Sequence, residues 1–387
     1  MATEKKPLLN LPLKVILTQE GASHFINRKK KLLRFRLADN AEEFGVSLST
    51  FAPLSLQSMI LVDYVSKIEI SMPEFVSSRQ EIMDLSKLVV FSVLYKQFDR
   101  EVLTALLATE CVRKHNRAYP SQLLDEQTHI SDNVLRSRME NSDKLISEAR
   151  TEILKPIYDS ILKDGNLTPE EKNIYLLMTE KFLNRLSLFN WYIIVKFFKK
   201  EGFSQILSNI RQIIQQYMEK SKIAEYISLM VMELALNCEN ANMRKEAKNM
   251  YRGIEDSEAV LYEPEIRQKI IQELEKKHEL VFISWKLGGG SVSIGKQGRL
   301  QITLYNKDDE FQEFKENIQE KKSANLAKKS LIDFYREIPE GQGGTDLGLY
   351  YLSYLDEACK KVNVKFESLV NQFASSDLTV INLNFNF

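Results

Sequence analysis

The chain has 387 residues, 44% of them hydrophobic and 27% charged, which is enough apolar material for sizeable cores and excludes disorder throughout. Fifty-three basic residues balance fifty-three acidic ones, and this excludes the overall basic charge of a dedicated nucleic-acid binder. At about 150 residues per domain, the length allows two or three domains.

The three cysteines, Cys111, Cys238 and Cys359, are far apart and odd in number, so neither a disulfide framework nor a zinc-type pair is expected. A reducing compartment fits them. The N-terminus lacks a signal-peptide apolar region. The longest mostly apolar stretch, Leu186 to Phe198, contains Asn190 and Lys196 and falls short of the about 20 residues that a membrane span needs. A buried helix, no membrane span and a cytoplasmic location are therefore expected.

In chain order, residues 1–36 hold nine Lys or Arg and two Glu, five of the cations being Arg28, Lys29, Lys30, Lys31 and Arg34. Such a patch suits nucleic acid or anionic lipid; a solvated face beside short strands is the simpler reading, and nucleic acid is not expected as the partner. Leu11–Leu17 and Leu32–Leu37 read as strands, and Ser47–Ile70 mixes β-branched residues with turn signals, which suggests more strand. Ser77 to Thr109 turns helical. Asn116–Ser142, polar and containing Pro120, reads as a linker or loop-rich boundary.

Helices are expected next over Lys144–Leu162, Thr168–Arg185, Leu188–Lys199 and Phe203–Met218. Asp164-Gly165-Asn166 supplies a stop, and Thr168-Pro169-Glu170-Glu171 supplies an N-cap, a first-turn proline and a capping-box glutamate. Ile223–Met250 reads as a long helix of its own. On it Glu233 and Asn237 are four residues apart and share a face, where a carboxylate and an amide oxygen suit a water and a magnesium ion; a solvated polar face is the plain alternative. Val281–Leu287, Ser291–Ile294 and Arg299–Asn306 read as strands joined by glycine turns. Phe311–Ile338 is charged and helical. A glycine-rich run, Gly341-Gln342-Gly343-Gly344-Thr345-Asp346-Leu347-Gly348, opens a helix to Lys361 and exposes backbone N–H groups suited to phosphate. Val362–Glu367 and Leu378–Phe387 close as strands, with Ile381, Leu383, Phe385 and Phe387 on one face.

The expected architecture is α+β in three parts: an α+β region over 1–135 of unknown role, a helical bundle or hairpin over 136–220, and residues 221–387. The last of these resembles the histidine-kinase-like ATPase domain of sensor kinases, MutL and type II topoisomerases. Glu233-Leu234-Ala235-Leu236-Asn237 resembles its asparagine box, Leu331-Ile332-Asp333-Phe334-Tyr335-Arg336 its phenylalanine segment, and Gly343-Gly344-Thr345-Asp346-Leu347-Gly348-Leu349 its last glycine box. The resemblance implies an α/β sandwich with a mixed sheet and helices on one face. It implies ATP and Mg as cofactors, Asn237 as the metal ligand and Glu233 as the residue polarising water or the acceptor. The phosphates would lie against Gly341, Gly343, Gly344, Thr345 and Gly348.

Two departures qualify what the resemblance implies. The family's Asp-x-Gly-x-Gly adenine box is replaced by Tyr305-Asn306-Lys307-Asp308-Asp309-Glu310, so Asn306, or Asp308 in a shifted register, stands where the adenine-reading aspartate belongs. An amide and a carboxylate present different donor and acceptor sets. The helices from Lys144 to Met218 contain no histidine, and His24, His115, His129 and His278 are dispersed, so histidine autophosphorylation in the family's manner is not expected. Three functions remain: a signalling or regulatory protein with a divergent, inactive kinase-like domain that works through a protein partner, with the helical region as the candidate homodimer surface; an active ATPase or protein kinase; and an adaptor that no longer binds nucleotide.

Overall fold

A computed structural model describes residues 8–28, 30–36, 42–126, 130–251, 263–288, 298–307, 346–373 and 378–387. The architecture is mixed α+β. Two compact units divide it, one of residues 1–93 with 223–387 and the other of residues 94–222.

Among the described residues the first unit is built on an eight-stranded sheet. Its strands are β1 (Leu13–Leu17), β2 (Leu33–Arg36), β3 (Glu42–Leu48), β4 (Val65–Met72), β5 (Val281–Gly288), β6 (Arg299–Lys307), β7 (Lys365–Phe373) and β8 (Leu378–Asn386). They lie in the order β2-β3-β1-β4-β5-β6-β8-β7. Alternating apolar residues set the registers, because a slip of one residue would turn each strand's apolar set to the other face. One row runs Val46, Val15, Ile68, Trp285, Ile302, Leu383, and the next runs Leu13, Ile70, Ile283, Leu304, Ile381. Val15, Ile68, Ile70, Trp285, Ile302, Leu304 and Leu383 are all buried.

The opposite face carries polar and aromatic residues, with Ile16 beside Lys67 as a buried aliphatic. Lys67 pairs with Glu69 at 2.6 Å and reaches Glu43 at 3.5 Å. Asn382 Oδ1 accepts from Thr303 Oγ1 at 2.7 Å and Gln301 Nε2 at 3.1 Å. Phe282 stacks on its cross-strand partner Tyr305 with centroids 4.1 Å apart.

The expected mixed sheet is not what the described strands form: all seven pairings are antiparallel. Strands that follow one another in sequence, β5–β6 and β7–β8, pair directly, and direct neighbours of this kind run antiparallel. The pairing of β4 with β5, from Lys67↔Lys286 to Met72↔Val281, joins the first seventy-odd residues to the last third in one sheet.

The same unit holds α1 (Gln19–Asn27), α2 (Pro53–Leu61), α10 (Pro264–Lys277) and α11 (Asp346–Lys361), with parts of α3 (Arg79–Leu107) and α9 (Phe203–Met250). Strand was expected across Ser47–Ile70, but α2 interrupts it. Pro53 sits at its first position, where the missing N–H costs nothing. Thr18 caps α1 by accepting from Gly21 N at 3.1 Å, and its hydroxyl donates to Asp63 O at 2.7 Å. Gly21 lies so close to Tyr64 that a Cβ there would collide with the Tyr64 carbonyl oxygen.

The second unit is helical in its described residues. It contains α4 (Glu110–Ala118), α5 (Asp132–Arg138), α6 (Asp143–Lys163), α7 (Pro169–Leu183) and α8 (Leu188–Phe197), and the remaining parts of α3 and α9. Its centre is aromatic: Phe182 lies 5.2 Å from Phe98, 5.1 Å from Tyr95 and 5.6 Å from Tyr217 between centroids, in tilted or edge-on contact. The capping box forms as expected, Thr168 N donating to Glu171 Oε2 at 2.8 Å and Glu171 N to Thr168 Oγ1 at 3.2 Å. Asp99 Oδ1 accepts from Ser187 N and Asn190 Nδ2, each at 2.6 Å, and thereby ties the start of α8 to α3.

Two expectations change here. Asn116–Ser142 is not a plain linker. Its Asn116 side chain bonds Leu124 N and O at 2.9 Å each, and Leu124 and Leu135 are buried. The two helices expected over Phe203–Met218 and Ile223–Met250 are one, α9. Glu219-Lys220-Ser221-Lys222 contains neither Gly nor Pro, Lys222 pairs with Glu219 at i,i+3, and the Ser221 hydroxyl bonds Met218 O at 2.6 Å, so nothing stops the helix.

Candidate functional site

The C-terminal half of α9 positions the site. Met230, Val231, Leu234, Ala235 and Cys238 are buried and hold the helix in the core of the sheet unit. A half-exposed stripe runs beside them at helical spacing: Tyr226, Leu229, Glu233, Asn237, Asn240, Arg244. Glu233 and Asn237 are thus one turn apart on a face that solvent reaches, as the sequence implied. Both side chains offer hard oxygen donors of the kind that bind magnesium.

A second face of α9 carries a line of polar residues that are almost fully buried. Glu239, Asn242 and Glu246 are 0%, 3% and 2% exposed. Glu239 Oε2 accepts from Phe75 N at 2.6 Å and Val76 N at 3.2 Å, while its other oxygen pairs with Arg267 of α10. Arg267 also reaches Glu74 at 3.5 Å. Two turns further on, Glu246 receives Lys277 Nζ on both oxygens, at 2.8 and 2.7 Å. Met243, Ala247, Ile270 and Leu274 pack in a common apolar cluster around these pairs.

Burial raises the Glu239 carboxyl, against the two backbone donors and the Arg267 charge that favour its ionised form. The hydrogen bond from Lys277 to Glu246 raises the Lys277 ammonium. The Glu239 and Glu246 carboxylates are therefore buried anchors of α9 and not free reagents. Sequence reasoning missed them. The signal was available: Glu239 and Glu246 lie seven apart and next to Cys238 and Ala247, within the apolar period instead of opposite it.

The helix after the glycine-rich run begins at Asp346, with Gly348 in its first turn. It comes beside α9: Tyr354 stacks on Tyr226, centroids 6.0 Å apart and planes 12° apart. Cys359 on α11 is 1% exposed, and burial pushes its thiol up to about 12, so it is not a nucleophile at neutral pH. Asn306 is on β6, its backbone opposite Thr379 of β8. The Asn306 side chain, and Asp308, Gly341, Gly343, Gly344 and Thr345 altogether, lie outside the described residues, as do His129, the segment 331–336 and the strand expected at 291–294. The structure thus brings Glu233, Asn237 and the α11 helix into one unit. Among the described residues no group of three His, Cys, Asp or Glu is placed to hold a metal, and no helix is long and apolar enough to cross a membrane.

A family described as one of unknown function, DUF8084, matches residues 4–387, and the chain belongs to it. The chain is also similar to a protein of Treponema pallidum (strain Nichols) described as "Uncharacterized protein", 41% identical over 384 residues that cover 99% of each chain. No solved structure matches.

Proposed function

We propose that this member of the family is a regulatory protein whose region 221–387 is a divergent histidine-kinase-like ATP-binding domain, acting through contacts with a protein partner. The observation that carries the reading is the Tyr226–Tyr354 stack. It sets the helix bearing Glu233 and Asn237 beside the helix that follows the glycine-rich run, as a pocket shared by the two motifs requires. The order of elements supports the same reading: α9, then α10, then β5–β6, then α11, then the β7–β8 hairpin.

In this reading Asn237 Oδ1 would hold Mg²⁺ and Glu233 would polarise water or the acceptor, since both are half-exposed oxygen donors on one face. Bound Mg²⁺ would offset phosphate charge. The backbone N–H groups at the start of α11 and the positive end of that helix favour the phosphates. Asn306 or Asp308 would meet the base. The acidic run after β6 opposes a triphosphate by charge, and for that reason ligand binding, with slow or no turnover, is the proposed output. Glu233 is the observation that favours a second reading, an active ATPase or kinase in which its carboxylate is the base. Cys111, Cys238 and Cys359 are not in disulfides, which fits a cytoplasmic setting.

Titration calorimetry of the whole chain with ATP, with and without Mg²⁺, tests the proposal. Saturable Mg²⁺-dependent binding, weakened at least about tenfold (about 1.4 kcal/mol) in Asn237→Ala, is expected. No binding at millimolar nucleotide overturns it and leaves the adaptor. Labelled ATP should leave the chain itself unlabelled, and steady phosphate release abolished in Glu233→Gln would select the active enzyme.

A further inference from the structure

The basic cluster near the N-terminus takes no part in the ATP reading, yet it borders a pocket. The pocket lies among α1, the residues after it, α2 and the start of β4, with a volume of about 320 Å³. That is at the lower end of the roughly 300–1,000 Å³ typical of small-molecule sites. Phe25, Met59, Val62 and Tyr64 give it an apolar lining, and Arg28 and Lys30 stand at it as cations.

The local sequence explains the arrangement. Ser55, Ser58, Met59 and Val62 recur at helical spacing, so one stripe of α2 and the residue after it face the pocket. Past the end of α1, Arg28 N and Lys30 N both donate to Phe25 O at 3.1 Å, which folds the chain back and lays Lys30 Nζ 5.4 Å from the Phe25 ring centre. Tyr64 OH and His24 Nδ1 are 3.2 Å apart, so the two rings brace one wall.

Two features point to a ligand. Val62 is 55% exposed, and the lining it belongs to is left open to water. Among the described residues neither Arg28 nor Lys30 forms an ion pair. Cations at the C-terminal end of a helix answer its partial negative charge, but that amounts to only about half a unit, and two full charges exceed it. The geometry points to a site for a small amphipathic anion: a carboxylate or phosphate monoester bound by Arg28 and Lys30, whose aryl or short alkyl body lies on Phe25, Met59 and Tyr64. Arginine's planar fork suits either head group, and Ser55 supplies a hydroxyl donor beside it, the Ser58 hydroxyl being engaged with Leu54 O at 2.7 Å.

The same chemistry occurs in a free metabolite and in a lipid, so the probe is octyl phosphate, titrated calorimetrically into the whole protein below its micellar concentration. Saturable binding is expected, with octanol and inorganic phosphate each at least about tenfold weaker, since each keeps only half of the recognition. The Arg28→Gln/Lys30→Gln variant should weaken octyl phosphate by at least about tenfold and leave octanol unchanged. Ser58→Trp, which fills the cavity from an exposed helix position, should abolish binding. Thermal unfolding at the wild-type temperature shows that each variant is folded. A parallel arm uses phosphatidylserine vesicles: sedimentation with vesicles in addition to saturable octyl phosphate binding identifies the lipid as source, and octyl phosphate binding alone identifies a soluble one. Vesicle binding without saturable octyl phosphate binding, equal affinity for octanol and octyl phosphate, or full affinity in the double variant each overturns the proposal.

Discussion

Tyr226 and Tyr354 lie nearly parallel, ring centroids 6.0 Å apart, and so join α9 to α11 through their side chains. Residues 128 positions apart in sequence thereby bring together two helices whose motifs were legible only separately. Aromatic pairs of this kind contribute roughly 0.5–1.5 kcal/mol beyond the area they bury. A double-mutant cycle with Tyr226→Ala and Tyr354→Ala, followed by urea denaturation, should return a coupling near the lower figure, since Tyr354 is 40% exposed. If α9 and α11 share a nucleotide pocket, each single variant also weakens ATP. Additive single effects on stability would show that the stack contributes nothing.

Glu239 is buried with three donors on its carboxylate, from Phe75 N, Val76 N and Arg267. Glu239→Ala leaves both amides without their acceptor and the guanidinium with Glu74 at 3.5 Å as its acceptor, and the loss of one partner from a buried pair costs about 3–5 kcal/mol. Glu239→Gln keeps an oxygen for the amides and gives up the charge, so it should cost less, about 1–3 kcal/mol. The denaturation midpoints of the two variants measure this, and equal midpoints would show that the carboxylate is not the anchor.

Gly21 is required by the approach of α1 to Tyr64, where a Cβ would also come within 2.9 Å of Tyr64 Cα. Backbone cannot yield as a flexible side chain does. Gly21→Ala should therefore destabilise the chain by about 1–3 kcal/mol through overpacking, although alanine is the better helix former. A variant as stable as the wild type would mean that α1 moves away without penalty. Since His24 and Phe25 of α1 line the pocket proposed for an amphipathic anion, the same variant should also alter octyl phosphate binding if that proposal holds.

Asp99 gives a dependence on pH. Burial raises its carboxyl above the ordinary range, with the donors from Ser187 and Asn190 opposing the shift. A folded value above the unfolded one, about 3.9, means that the folded state holds the proton more tightly. This contribution to stability is fully present below the unfolded value and is lost as pH rises through the folded value. Asp99→Asn keeps an oxygen acceptor for Ser187 N and removes the titration. The stability of the wild type relative to Asp99→Asn should therefore fall as pH is raised from about 3 to about 7. A difference that is constant, or that grows with pH, contradicts this.

Local signals carried much of the secondary structure. Thr168-Pro169-Glu170-Glu171 specified its own capping box, and Ile381, Leu383, Phe385 and Phe387 alternated as buried strand residues do. Periodicity alone placed Glu233 and Asn237 on one face of α9. It did not distinguish them from Glu239 and Glu246, which occupy the buried side, because burial of a carboxylate depends on where a partner such as Arg267 or Lys277 arrives from another helix.

The features legible from the chain alone act over a few residues: caps, turns, the alternation of strands, and the short spacing of the Glu233 and Asn237 pair. Long-range packing set the antiparallel pairing of β4 with β5, the burial of Glu239 against Arg267, the stack of Tyr226 on Tyr354, and the meeting of Arg28 and Lys30 with the apolar lining of Met59, Val62 and Tyr64. The physical reason is that such contacts close long loops. Their stability comes from the burial and pairing of groups that are distant in the chain, and no local pattern encodes which distant partner will be there.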